Sequence, residues 1–242
     1  MKHKFLFILL FSLVLEGMVT TQAVAGDYVH QVNTLIGTKG TGLTSGYLYP
    51  GATYPYGMVQ FTPSYFSKRS GFVINQLSGG GCEHMGNFPT FPVKGKLKMS
   101  PDNILNYRIN VSEEKGHAGY YEAMVQEDIK AKLTVTERTG MASYEYPADQ
   151  QYGTIIIGGG ISATPIEQAA IIITAPNKCE GYAEGGNFCG LRTPYKVYFV
   201  AEFDTDAFET GTWKREELMP NTTFAEGEYS GVYFTFDVNK KK

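Results

Sequence analysis

Lys130-Ala-Lys-Leu-Thr-Val-Thr-Glu137 is the stretch on which the fold class turns. In an extended chain Ala131, Leu133 and Val135 lie on one side, and Lys130, Lys132, Thr134 and Thr136 on the other. Successive side chains of a strand point to opposite faces, so this period of two predicts a half-buried strand. Val232-Tyr-Phe-Thr-Phe-Asp-Val238 alternates in the same way, with Phe234 and Phe236 on the apolar side. Tyr195–Phe203 is a third such run, and Thr154–Ile157 and Ile171–Thr174 are short β-branched runs. Gly140, Gly153, Gly158–Gly160 and Gly185–Gly186 read as punctuation between them. No segment sustains a helical period over three turns; Glu209–Met219 is the best place for a short helix. Short strands with Gly/Pro turns predict an all-β fold, an antiparallel sandwich or barrel.

The ends carry different signals. Lys2 and Lys4 precede an apolar run, Phe5–Leu15, and Ala23-Val-Ala25 supplies small residues before Gly26. This pattern predicts a signal peptide over residues 1–25 and a secreted or periplasmic product. The run is short for a bilayer span and is broken by Glu16 and Gly17, which argues against an uncleaved anchor. No cysteine follows it to take a lipid. At the other end Val232–Val238 is followed only by Asn239 and three lysines. Two readings stand: a sandwich truncated at its C-terminal end with this strand at an open edge, or a charged tail that blunts such an edge.

With 43% apolar and 14% aromatic residues, the 242-residue chain can bury a sizeable core. A formal net charge of −3 gives no electrostatic case for nucleic acid or an anionic membrane surface. Cys82, Cys179 and Cys189 are an odd count. In an exported protein Cys179 and Cys189 can pair across the Gly-rich loop between them, leaving Cys82 free; a lone buried thiol is the other reading. No Cys/His spacing suggests zinc, and no EF-hand spacing suggests calcium.

Three blocks stand out. Val32-Asn-Thr-Leu-Ile-Gly-Thr38 is followed by Tyr49-Pro-Gly-Ala-Thr-Tyr-Pro-Tyr-Gly-Met-Val-Gln-Phe-Thr-Pro63. Gly71-Phe72 leads into Leu77-Ser-Gly-Gly-Gly-Cys82. Ala118-Gly-Tyr-Tyr-Glu122 precedes Ile129–Gly140. Pro50-Gly51 and Pro55-Tyr56-Gly57 are turns whose φ angles Pro and Gly pre-set. Such turns can do no more than shape the chain. They can also bring Tyr47, Tyr49, Tyr54 and Tyr56 to one rim, where flat rings with hydroxyl tips suit a sugar. The loop at Gly79–Gly81 permits close backbone approach, but no GxxxxGK pattern makes it a phosphate loop.

In this order the blocks resemble the N-terminal domain of glycoside hydrolase family 92, the exo-acting α-mannosidases. The resemblance covers most of the chain. It implies an antiparallel β-sandwich over residues 26–242 that packs on a separate C-terminal (α/α)6 catalytic barrel, absent here. It also implies inverting hydrolysis of mannose-containing glycans with Ca2+ near the sugar; no calcium ligand is assigned in this chain. Where the family has Ser-His-Thr-His, this chain has Val73-Ile-Asn-Gln76, and the glycine loop Gly40–Gly46 lacks the expected His. These departures bear on the substrate more than on the fold. Asn75 and Gln76 therefore become substrate-binding candidates, together with Glu83, His84 and Asn87, the densest polar cluster, and Tyr56 on the turn. The plain alternative for each is a solvated loop residue.

No catalytic pair is assigned. Inversion needs an acid and a base carboxylate about 6.5–9.5 Å apart. Asp204 and Asp206 flank a strand end, and Glu216-Glu217 reads as a solvated face. No Gly-x-Ser-x-Gly supports a nucleophilic triad. The leading expectation is a substrate-cleft domain that does not turn over alone. A stand-alone carbohydrate-binding module and a structural sandwich are the alternatives.

Overall fold

The computed structural model describes residues 28–38, 48–64, 71–76, 78–82, 84–102 and 110–239. The leader assigned to residues 1–25, the glycine loop 40–46, Tyr47, Glu83 and the terminal lysines lie outside the described residues. Tyr28–Gln31 form one 3-10 turn in the chain's first unit, residues 1–31; all that follows lies in the second, residues 32–242.

Three antiparallel sheets build this unit. The largest has the order β1 (Ala52–Thr53), β2 (Gln60–Pro63), β3 (Phe72–Val73), β4 (Thr90–Lys94), β9 (Tyr152–Gly158), β16 (Ser230–Asp237), β13 (Glu209–Lys214) and β14 (Glu217–Pro220). A second runs β5 (Val111–His117), β6 (Tyr120–Val125), β7 (Ile129–Val135) and β8 (Gly140–Glu145). The third runs β12 (Leu191–Glu202), β11 (Lys178–Phe188), β10 (Ile166–Ala175) and β15 (Phe224–Glu226).

The eight-stranded sheet is the middle of the sandwich, with a core on each face. On one face Ile156, Trp213, Tyr233, Phe61, Phe72 and Phe91 pack with Tyr121, Ala123, Ile129, Ala131 and Leu133 of the second sheet. On the other, Ile155, Ile157, Val232, Phe234 and Phe236 pack with Ile166, Ile171, Ile173, Cys179 and Ala183 of the third. Burying a Leu or Phe side chain is worth about 1.5–3 kcal/mol. An exposed ion pair such as Lys132–Glu145 is worth about 0–1 kcal/mol. Packing between layers therefore holds the sheets, and the charged ladders only decorate them.

The alternation of Ala131, Leu133 and Val135 is real: all three are buried in β7, and the residues between them are not. Several local expectations fail once the strands are placed side by side. β16 is buried along both sides, so Tyr233 is as enclosed as Phe234. It is also an interior strand, paired to β9 and β13, and neither an open edge nor a blunted one. Glu209–Met219 contains no helix. Its residues form β13 and the start of β14, turning at Arg215 in a left-handed conformation (φ 51°). The ladder from Glu209↔Thr235 to Lys214↔Ser230 overrides the local propensity. Of the punctuating glycines, Gly153 sits inside β9 and Gly185–Gly186 inside β11. At Gly153 the Tyr146 ring occupies the place of a side chain: a Cβ would lie 2.5 Å from it.

Candidate functional site

The site begins where β3 ends. Asn75 makes an isolated parallel bridge with Gln60, whose N–H donates to the Ile74 carbonyl at 3.1 Å. The Gln60 side chain donates to Ser78 Oγ at 2.9 Å, which starts the glycine loop. Gly79 and Gly81 take left-handed φ values of 77° and 72°, and a Cβ at either would meet nothing within 4 Å. They are there for backbone conformation and leave the loop surface open.

The chain then folds back on itself. Met85, Gly86 and Phe88 are left-handed (φ 45°, 75° and 53°). The Asn87 N–H donates to Asn75 Oδ1 at 2.7 Å, and Asn75 Nδ2 donates to Asn87 Oδ1 at 2.9 Å. This reciprocal amide pair holds the segment in its unusual conformation. The Gly86 N–H donates to the Asn75 carbonyl at 3.3 Å, and the Ala163 N–H to the Met85 carbonyl at 2.7 Å. Left-handed non-glycine residues in sequence are sparsely populated and cost energy, which clusters them at working sites.

The β11–β12 hairpin supplies the other side. The Tyr195 hydroxyl donates to Asn87 Oδ1 at 3.0 Å, and burial holds that hydroxyl above the ordinary tyrosine range despite its Asn87 and Ser162 contacts. The buried His84 ring stacks on Phe188 at 5.0 Å, and Phe88 packs against Phe199 in a tilted pair at 4.0 Å. Cys82 and Cys189 form a disulfide with a Cα–Cα distance of 5.3 Å. The expected Cys179–Cys189 pairing is thus corrected. Cys179 is the second residue of β11 and Cys189 follows its end, so the extended strand holds them about 33 Å apart at about 3.3 Å per residue. Cys179 is the free thiol, buried in the core, where desolvation pushes its pKa up to about 12.

The structure therefore brings Asn75, Gln76 and Asn87 together around Gly86, seats His84 against Phe188, and buries all of these candidates but Asn75. Asn75 engages the Oδ1 and the backbone N–H of Asn87 but not its Nδ2. Both amide atoms of Gln76, Nδ2 of Asn87 and Oγ1 of Thr164 are buried without a hydrogen-bond partner among the described residues. The large majority of buried side-chain polar atoms have a partner, so these orphans are unusual. Tyr56 stands elsewhere. It is fully exposed, in a left-handed turn between β1 and β2 (φ 60°), next to the Met58 N–H that donates to the Glu137 carbonyl. The tyrosine rim is also divided: Tyr54 is exposed with Tyr56, but Tyr49 is buried.

Sequence reading missed Phe188, Cys189, Tyr195 and the 162–164 connection. All lie more than 70 residues beyond the glycine loop, and only the unpaired Cys82 hinted at such a partner. Among the described residues no group of three or more His, Cys, Asp or Glu side chains can hold a metal. Asp204 and Asp206 are exposed. Glu216 and Glu217 line an open depression of about 480 Å³ with Asp102, Lys214 and Arg215.

The sequence profile described as "Glycosyl hydrolase family 92 N-terminal domain" matches residues 31–242. The chain belongs to this family. The family 92 domain is similar to the structure of a family GH92 α-mannosidase from Bacteroides thetaiotaomicron: 25% identity, TM-score 0.71, covering 86% of this chain and 31% of that one. It shares its fold with a family GH92 inverting mannosidase from Bacteroides thetaiotaomicron VPI-5482 at 23% identity and TM-score 0.69, covering 89% and 30%. A curated relative, an uncharacterized secreted glycosidase of Arthroderma benhamiae, is 30% identical over 159 residues, 56% of this chain and 20% of its own length. The family 92 domain thus spans less than a third of the length of each of these relatives. No helix among its described residues is long and apolar enough to cross a membrane.

Proposed function

We propose that this domain forms one wall of the saccharide cleft of an exported, inverting α-mannosidase acting on mannose-containing glycans. The observation that carries this is the family match across residues 31–242, joined to a β-sandwich like that of an α-mannosidase of which it covers only 31%. The wall is the loop Ser78–Cys82 and the hairpin end clamped to it. Its open backbone and the amides beneath it offer donors and acceptors of the kind that hydroxyl groups satisfy. Its contribution is positioning: holding a sugar in a reactive geometry removes entropy that the chemical step would otherwise lose. The acid and base carboxylates belong to the part of such an enzyme that this chain does not span. The calcium implied by the resemblance finds no suitable ligand cluster among the described residues.

Titration of the isotopically labelled chain with α-linked mannobioses, followed by amide NMR, tests this reading. Expected are shift changes confined to Ser78–Cys82 and Asn187–Arg192, and no hydrolysis of an aryl α-mannoside. Turnover at a rate near that of a complete glycosidase would refute the non-catalytic assignment. Shifts on the exposed face around Tyr182 and Tyr198 would favour a stand-alone binding module instead. No shift anywhere would remove the glycan reading.

A further inference from the structure

The outer end of the β11–β12 hairpin is built differently from the rest of its sheet. From Lys178↔Glu202 to Gly185↔Tyr195 the two strands pair in unbroken register. A bulge then interrupts the ladder between Gly185 and Asn187, opposite Pro194, which has no N–H to donate. A Cβ at Gly186 would lie 2.8 Å from the Pro194 Cα, so the two strands are pressed together at this break. Beyond it only Asn187↔Arg192 and Phe188↔Leu191 pair, closing on Cys189 and Gly190 in left-handed conformations (φ 52° and 81°). Leu191 and Arg192 are exposed. Two residue pairs past a bulge make a weak end that would open easily by itself.

Among the described residues three links attach this end to the glycine loop and to the segment that follows it. They are the Cys82–Cys189 disulfide, the His84–Phe188 stack and, inside the break, the Tyr195–Asn87 hydrogen bond. Cys189 Sγ also lies 3.7 Å from the Gly80 carbonyl oxygen; a disulfide sulfur carries no hydrogen, so this is a contact and not a hydrogen bond. Only the first link is covalent, and it joins residues 107 apart in sequence. Cys189 is exposed and Cys82 partly so. A thiolate in solvent can therefore reach the bond, while the free Cys179 is buried and cannot exchange with it.

We propose that the Cys82–Cys189 disulfide is a positioning pair. It holds the end of the hairpin, Asn187–Arg192, down on the Ser78–Cys82 loop and so fixes the shape of the saccharide wall, without being needed for the sandwich itself. The glycan half of this rests on the function proposed above; the tether half does not. The chemistry is thiol–disulfide exchange: a dithiol reductant attacks one sulfur, the mixed disulfide is resolved by its second thiol, and two cysteine thiols and the cyclic oxidised reductant result. Two electrons pass from the reductant to the protein.

Hydrogen exchange and mannobiose titration of the 242-residue chain, oxidised and after reduction with dithiothreitol, decide the matter. Trp213, the only tryptophan, is fully buried, so its emission reports whether the sandwich survives. The double variant Cys82→Ser/Cys189→Ser mimics the reduced state without reductant and should not respond to it. Expected on reduction is exchange faster by on the order of tenfold in Asn187–Arg192 and Ser78–Cys82, with β9, β16 and Trp213 unchanged. Mannobiose affinity should fall by a similar factor, and the double variant should match the reduced protein in both. Unchanged exchange at the hairpin end would overturn the tether, as would collapse of Trp213 packing. Equal affinity in both states, with the end loosened, would overturn the positioning claim. If even the oxidised chain binds no mannobiose, the glycan reading fails and the positioning claim with it, while faster exchange still upholds the tether.

Discussion

The two four-stranded sheets cover opposite faces of the same central sheet, yet they differ in almost everything but strand count. The β5–β8 sheet has strands of six or seven residues, a nearly regular ladder and an outer face of paired charges: Lys115, Glu122, Lys130, Lys132 and Glu145. In the sheet of β10, β11, β12 and β15 the first three strands have 10, 11 and 12 residues and outrun the core, while β15 has three. It carries bulges in both of its long pairings and a proline, and it exposes Tyr198, Val200, Ile172 and Phe224 on its outer face. One sheet is a lid on a core. The other reaches past the core to meet the glycine loop, and every irregular feature of the site lies where it does so. Regularity marks where packing alone has to be satisfied; departures from it mark where something further is held in place.

The sharpest way to break this contrast is to ask whether both sheets serve as scaffold equally. Leu133→Ala in β7 and Ile171→Ala in β10 each remove a fully buried side chain. Each should cost about 2–5 kcal/mol in urea unfolding followed by Trp213 fluorescence. A loss well below 1 kcal/mol for Ile171→Ala alone would show that the longer sheet is only loosely docked.

A smaller effect should appear in alkali, on the side of the β5–β8 sheet. The Tyr144 hydroxyl is buried, and the Tyr146 hydroxyl donates to the Thr154 carbonyl at 3.2 Å. Burial pushes both well above the ordinary tyrosine range. A raised pKa in the folded state means that the stabilisation is complete below the unfolded value of about 10 and drains away as pH rises above it. Stability should therefore fall from about pH 10 upward, with these phenols ionising only as Trp213 becomes exposed. Reversible titration of every tyrosine in the folded protein would contradict this.

The least effect belongs to the charged face. Glu122 accepts a hydrogen bond from the Tyr120 hydroxyl at 2.6 Å and faces Lys130 and Lys115. Tyr120 chiefly, then the lysines, holds its carboxyl below the ordinary range against the opposing effect of burial, and the same contact raises Tyr120 to about 12. A lowered pKa means that the stabilisation is present above the ordinary carboxylate value and is lost as pH falls through the folded one. Glu122→Gln should cost no more than about 1 kcal/mol at neutral pH, and less in high salt. A loss of several kcal/mol would mean that this face is more than a solvated ladder.

How far the fold and site could be read differs between the same regions. β7 was legible because one face is wet, so its composition alternates. β9 and β16 lie between two cores, where Ile155, Ile156 and Ile157 all find apolar neighbours, and a strand buried on both sides loses the alternation that identifies a face. At the site, Asn75 and Gln76 were nominated because they stand where the family has its histidines, and His84 and Asn87 because they lie in a dense polar segment; Asn75 and Asn87 meet in space. The burial of Gln76, His84 and Asn87 was not legible, because it depends on distant residues such as Phe188 against His84 and Tyr195 against Asn87, which arrive from a hairpin about a hundred residues away.

By itself the sequence determined the all-β class, the family and the polar segment that follows β3, because local alternation and short motifs are written in neighbouring residues. Only the tertiary structure decided that the middle sheet has two cores, that Cys82 and not Cys179 meets Cys189, and that the candidate amides are enclosed. Each of these depends on which distant strands lie side by side, and the free energy that selects the pairing is burial shared among residues far apart in the chain.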